Sequence, residues 1–122
     1  MKILLLSERS IRLEPGPGPL SIEAASPEQS FSPFHMLAGG FAYCTFSVLH
    51  TWADHAKLDA SDLAIEVGWS FAEDPHRVGS YDLRFSWPSL PVKRVEAARR
   101  AAELCAVHAT LHHPPAISIG VK

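Results

Sequence analysis

Apolar and polar positions alternate along this chain with two different periods, and the changes of period mark out its elements. Lys2–Leu6 and Ser10–Glu14 read as short strands around a Ser7-Glu8-Arg9 turn. The cluster Pro15-Gly16-Pro17-Gly18-Pro19 is too rich in breakers for helix and reads as an exposed turn. Leu20–Ala24 follows as a third strand, and Ala25–Phe31 as a loop. Ser32-Pro33 then supplies an N-cap residue and a proline at the first helical position. The helix that starts there extends to Ala56, where Lys57 and Asp59 mark the exit.

The second half repeats the scheme. Asp62–Ala72 alternates Leu63, Ile65, Val67 and Trp69 on one face, and Ser80–Trp87 does the same with Tyr81, Leu83, Phe85 and Trp87. Glu73–Gly79 joins them as a hairpin loop. Pro91 opens a helix in which Val95, Ala98, Ala102 and Cys105 form one stripe, while Lys93, Arg94, Glu96, Arg99, Arg100 and Glu103 face water. His112-His113-Pro114-Pro115 ends that helix, and Ala116–Val121 reads as a last strand. Repeats and low-complexity linkers are absent, so residues 1–122 form a single α+β domain.

Composition narrows the classes. The uncharged run Ser32–Ala53 has 22 residues, about the length that spans a bilayer. It also contains His35, Thr45, Ser47, His50 and Thr51 and the Gly39-Gly40 pair, which favours a helix buried in a globular core over a membrane span. A net charge of −2, spread along the chain, lacks the basic face of a nucleic-acid binder. Met1–Ser7 is too short for a signal peptide and has no cleavage site, so the expected location is the cytoplasm. There a cysteine pair is more often catalytic or redox-sensing than a permanent staple.

The only two cysteines, Cys44 and Cys105, stand 61 residues apart, each on a helix face that turns inward. Two distant thiols that a fold brings together suit peroxide chemistry, one being oxidised and the other resolving it. The plain alternative is two small buried hydrophobes. Because Cys105 shares the inward stripe of its helix, the two Cα atoms are expected within disulfide reach, about 7 Å or less. His108 and His112 follow Cys105 at helical spacing, and His50 and His55 end the long helix, but no complete metal-ligand spacing is present. No cofactor or metal is therefore expected, and His108 reads as a core or interface residue or as a group that tunes Cys105. Trp52, Trp69 and Trp87 read as core or interface aromatics.

The segment Ser32-Pro33-Phe34-His35-Met36-Leu37-Ala38-Gly39-Gly40-Phe41-Ala42-Tyr43-Cys44-Thr45 resembles the central helix of the OsmC/Ohr family. Leu104-Cys105-Ala106-Val107-His108-Ala109-Thr110-Leu111, followed by proline and an apolar strand, is similar to that family's second cysteine segment. The resemblance implies strands wrapped around a buried helix in an intertwined homodimer, with sites at the subunit interface. It implies a thiol-dependent peroxidase of organic hydroperoxides, serving an antioxidant, oxidative-stress role, with Cys44 attacking, Cys105 resolving and an external dithiol as reductant. An arginine of the N-terminal strands, Arg12 or Arg9, would stabilise the thiolate. Ten residues before Cys44, where the family's peroxidases carry a glutamate that holds that arginine, this chain has Phe34. Glu28 stands six residues out of register. The alternative function is a non-catalytic domain that binds a small lipophilic ligand in the dimer-interface cleft. The homodimer has a physical argument too: a helix of about 24 residues runs about 36 Å, more than one domain of this size covers on all sides.

Overall fold

The computed structural model describes residues 1–122. Its sheet holds β1 (Lys2–Ser7), β2 (Ser10–Glu14), β3 (Ser21–Ala24), β4 (Ala64–Ala72) and β5 (Arg77–Ser86) in the order β3-β1-β2-β4-β5. All neighbours run antiparallel except β1 and β3, which are parallel. Register sets the two faces. Ile3 lies opposite Leu13, Leu5 opposite Ile11, Ile11 opposite Val67 and Leu13 opposite Ile65, and all six are buried. The alternate positions form a polar ladder on the other face, where Lys2 meets Glu14 and Glu23, and Arg12 meets Glu14 and Glu66.

The long helix α1 (Pro33–Ala56) lies on the apolar face. Its start follows the expectation: Ser32 is the N-cap, with Pro33 behind it. The capping partner is His35, whose Nδ1 accepts from the Ser32 N–H (3.1 Å) while the His35 N–H donates to Ser32 Oγ (3.3 Å). Since Nδ1 accepts, the ring proton sits on Nε2 and donates to the carbonyl of Ser7 (2.9 Å), tying the helix start to the end of β1. The helix ends at Lys57 in the left-handed region. Gly39 permits a close approach to β1, since a Cβ there would lie 3.1 Å from Ile3 Cδ1. No helix is long and apolar enough to cross a membrane.

The C-terminal part departs from expectation in two places. The helix expected from Pro91 is broken into a 3₁₀ turn (Val92–Arg94), α2 (Val95–Ala102) and α3 (Ala106–His112). Ala98, Ala101 and Cys105 are buried, but Val95 is 46% exposed, so the stripe is rotated and then interrupted. Cys105, the N-cap of α3, still points into the core, the side its spacing from Ala98 and Ala101 predicts. The strand expected at Ala116–Val121 does not form: the segment joins no sheet, and Ile117, Ile119 and Val121 are 83%, 95% and 101% exposed.

His35→Ala removes a buried ring, its cap and its bond to Ser7 together. The substitution is expected to lower unfolding stability by about 2–4 kcal/mol, seen as a lower urea midpoint at unchanged slope.

Candidate functional site

Cys44 lies where the buried and exposed arcs of α1 meet. On one side its helix borders an apolar groove of about 590 Å³ between α1, β1 and β3, whose wall includes Ile3, Leu20, Ile22, Phe31, Met36 and Tyr43 as well as Cys44 itself. On the other side stands the beginning of α3. Cys105 is fully buried there and Cys44 is half-buried; both thiols are free.

The two cysteine side chains are neighbours, and their surroundings treat them differently. Burial pushes the Cys44 thiol up, but hydrogen bonds from the Cys105 side chain and from the amides of Val107 and Ala106 outweigh it, so the net direction is down. Burial also pushes Cys105 up, and its bond to Cys44 adds to that. The opposing contacts are the His108 amide, 3.4 Å from the sulfur, and the Thr45 hydroxyl; the net direction for Cys105 is up. Of the two thiols, Cys44 is thus the easier to ionise.

The other expected site residues fall elsewhere. Arg12 sits between Ile11 and Leu13, which face α1, so its own side chain projects from the opposite face of the sheet onto Glu66 and Glu14. Within the chain it does not meet Cys44. Arg9 is exposed in the β1–β2 turn and borders a separate, largely polar pocket with Phe34, Glu73 and His76. Glu28 bonds Ser26 and no arginine. Phe34 packs edge-on against Phe71.

The His108 imidazole is directed at the Glu103 carbonyl (3.3 Å) and at His112, so His108 touches Cys105 through its backbone alone. His50 pairs with Asp54 on the surface. Trp52 and Trp87 pack edge to face in the core, and Trp69 packs on His35. Sequence reasoning missed the amides of Ala106 and Val107 and the hydroxyl of Thr45. Thr45 had a signal: it follows Cys44 by 100° on the helix, toward the buried arc.

A family model described as OsmC-like protein matches residues 26–120. The chain belongs to the OsmC-like family. Its fold is similar to that of a Psychrobacter arcticus 273-4 protein named for osmotic stress induction and a detoxification response. The two are 25% identical with a TM-score of 0.62, over 69% of this chain and 62% of that one. It is also similar to an OsmC-like hydroperoxide resistance protein from Jannaschia sp. CCS1, at 21% identity and a TM-score of 0.60, over 80% of this chain and 70% of that one. No curated protein matches the sequence. This OsmC-like chain therefore spans less than two thirds of the first neighbour's length and somewhat more of the second's.

Thiol alkylation tests the ranking of the two sulfurs. With limiting iodoacetamide, peptide mass spectrometry is expected to find Cys44 modified well before Cys105. The Cys44 rate should rise with pH to a half-maximum below the ordinary thiol value of about 8.5, because the thiolate is the reacting form.

Proposed function

We propose that this OsmC-like protein reduces hydroperoxides of apolar molecules with a pair of thiols, Cys44 attacking and Cys105 resolving. The observation that carries this reading is the setting of Cys44: its ionisation is eased by Cys105 and two backbone amides, while its helix borders an apolar groove. The Cys44 thiolate attacks the distal peroxide oxygen and the O–O bond breaks. The departing alkoxide takes up a proton to leave as the alcohol, and Cys44 becomes a sulfenic acid. The Cys105 sulfur then attacks that sulfenic sulfur; its proton leaves with the displaced hydroxide as water, and a disulfide forms. An external dithiol supplies two electrons and two protons, returning both cysteines to thiols as it closes its own disulfide. The hydroperoxide resistance in the name of the Jannaschia neighbour agrees with this chemistry.

The second reading, a domain that holds a lipophilic molecule in the same groove without chemistry, is favoured by one observation. No arginine or carboxylate reaches Cys44, whose donors are a thiol and two amides.

The working unit in this proposal is a homodimer. Met36 and Leu37 on the outer arc of α1 are 63% and 53% exposed, and the three aliphatic residues of the C-terminal segment are almost bare. Ile117, Ile119 and Val121 alternate with Ser118 and Gly120, the pattern of a strand with one buried face. β5 and β3 are the open edges of the sheet, and a strand from a second copy is the occupant that closes such an edge with two-fold symmetry.

With dihydrolipoamide as reductant, wild-type protein is expected to consume cumene hydroperoxide, Cys44→Ser to consume none, and Cys105→Ser to stop after one turnover. Arg12→Ala and Arg9→Ala should each leave the first-turnover rate within about twofold, since surface ion pairs contribute little to a sulfur they do not touch. Wild-type protein that leaves the hydroperoxide untouched and keeps both thiols is the binding domain of the second reading.

Light scattering tests the assembly: a dimer mass is expected for the wild type and a monomer mass for Ile119→Asp, which places a charge on the strand face.

A further inference from the structure

The two histidines of α3 stand side by side. His108 and His112 are one helical turn apart, so their side chains rise from the same face of the helix. Their ring centroids lie 4.6 Å apart and their planes cross at 65°. Two imidazoles in adjacent positions on one ion, with metal–nitrogen bonds of about 2.0–2.1 Å, have centroids about 4.5–5.2 Å apart. The observed separation falls in that range.

His108 is also held in a tautomer that a metal can use. Its Nδ1 lies 3.3 Å from the carbonyl of Glu103, and a carbonyl only accepts, so the ring proton sits on Nδ1. In the neutral ring the lone pair is then on Nε2. Metal-binding histidines are oriented by this kind of bond, donated by the other ring nitrogen to a carbonyl or carboxylate. Both rings line a cavity of about 380 Å³ between α1, α3 and β5, whose wall includes Phe41, Val78, Tyr81 and Leu111. It has room for an ion and its waters.

We propose that His108 and His112 together bind a late divalent transition metal of the Zn²⁺, Ni²⁺ and Cu²⁺ class through their ring nitrogens. Imidazole suits these ions, whereas Mg²⁺ and Ca²⁺ take oxygen ligands. No third histidine, cysteine or carboxylate joins the pair, so water fills the remaining positions and the ion is exchangeable. Arg99, which borders a neighbouring pocket with His108, is paired with Glu96 and Glu103, and these offset its charge. The two rings share one ion only while the turn between them is helical, so binding stabilises the end of α3. His112 is the last residue of that helix, and the segment bearing Ile117, Ile119 and Val121 leaves just beyond it.

The proposal does not depend on the thiol-pair reading. Zn²⁺ is the probe, since it has no redox chemistry with which to oxidise the two free thiols. In nitrogen NMR of the histidine rings, Zn²⁺ added to wild-type protein is expected to move Nε2 of His108 and of His112 with one shared affinity. His50, His55 and His76 should stay in place. Zn²⁺ taken up by the cysteines is read separately, from their Cβ shifts.

His112→Ala removes an exposed side chain and should lower the affinity read at His108 by about tenfold or more, while His50→Ala leaves it unchanged. The His113 amide, which donates to the Ala109 carbonyl at 2.8 Å, should exchange more slowly in wild-type protein with Zn²⁺ than without it. His112→Ala should lose that slowing. Rings that do not move, a His108 ring that moves without His112, or equal movement of all the exposed histidines overturns the proposal. Wild-type affinity in His112→Ala, or exchange at His113 that Zn²⁺ leaves unchanged, overturns it as well.

Discussion

Helix α1 carries nine buried residues between His35 and Ala53, and two different covers lie over that arc. The strands β1, β2 and β4 cover one side with Ile3, Leu5, Ile11, Leu13, Ile65 and Val67. The other side is covered by α2 and α3 through Ala98, Ala101 and Cys105. Each fully buried aliphatic side chain contributes about 1.5–3 kcal/mol, so the sheet side sets the position of the helix. The second cover is poorer in large side chains, and it is the one that meets Cys44. Its contact is made by backbone amides and a sulfur rather than by bulk. That allows the site to be polar at one point without a hole in the main core.

The electrostatics at Cys44 follow from where those amides point. A thiolate in an apolar setting is unfavourable unless donors replace its lost water. An arginine is one solution, and β2 would place it wrongly here, because Ile11 and Leu13 are needed inward and strand alternation then turns Arg12 outward. The first amides of a helix are free donors by construction, since they have no carbonyl one turn before them. Breaking the C-terminal helix at Glu103-Leu104 creates such amides at Ala106 and Val107, against Cys44. Leu104, inside the break, is 78% exposed. Cys105 lies on the inward stripe of Ala98 and Ala101 already, so the break adds free amides beside a thiol that its spacing turns inward.

Much of this was legible in the sequence where a short-range rule governs. Ser32-Pro33 fixed the start of α1, the alternation of Leu63, Ile65, Val67 and Trp69 gave the buried face of β4, and the cysteine spacing pointed to a helix–helix meeting. The break between α2 and α3 was not legible. No proline or glycine marks it, and Ala-rich sequence favours continuation. The C-terminal segment has a strand pattern, but a pattern specifies a face and not a partner, and in one chain no sheet edge receives it. For Arg12 the sequence held the answer: a residue alternating with Ile11 and Leu13 cannot share the side they bury.

Substrate preference, on the thiol-pair reading, belongs to the groove more than to the sulfur. Any accessible thiolate attacks hydrogen peroxide and alkyl hydroperoxides by the same displacement, so sulfur chemistry alone discriminates little. A wall of Ile3, Leu20, Ile22, Phe31, Met36 and Tyr43 adds about 0.8 kcal/mol for each methylene it removes from water, close to fourfold in affinity. Two or three methylenes already outweigh the statistical advantage of a smaller, faster-diffusing oxidant. Because an alkyl tail is held equally before and during O–O cleavage, this energy raises kcat/KM and leaves kcat nearly unchanged. On that reading the work is divided: α3 and Cys105 would set how readily Cys44 reacts, and the face of α1 turned to β1 and β3 would set what it reacts with.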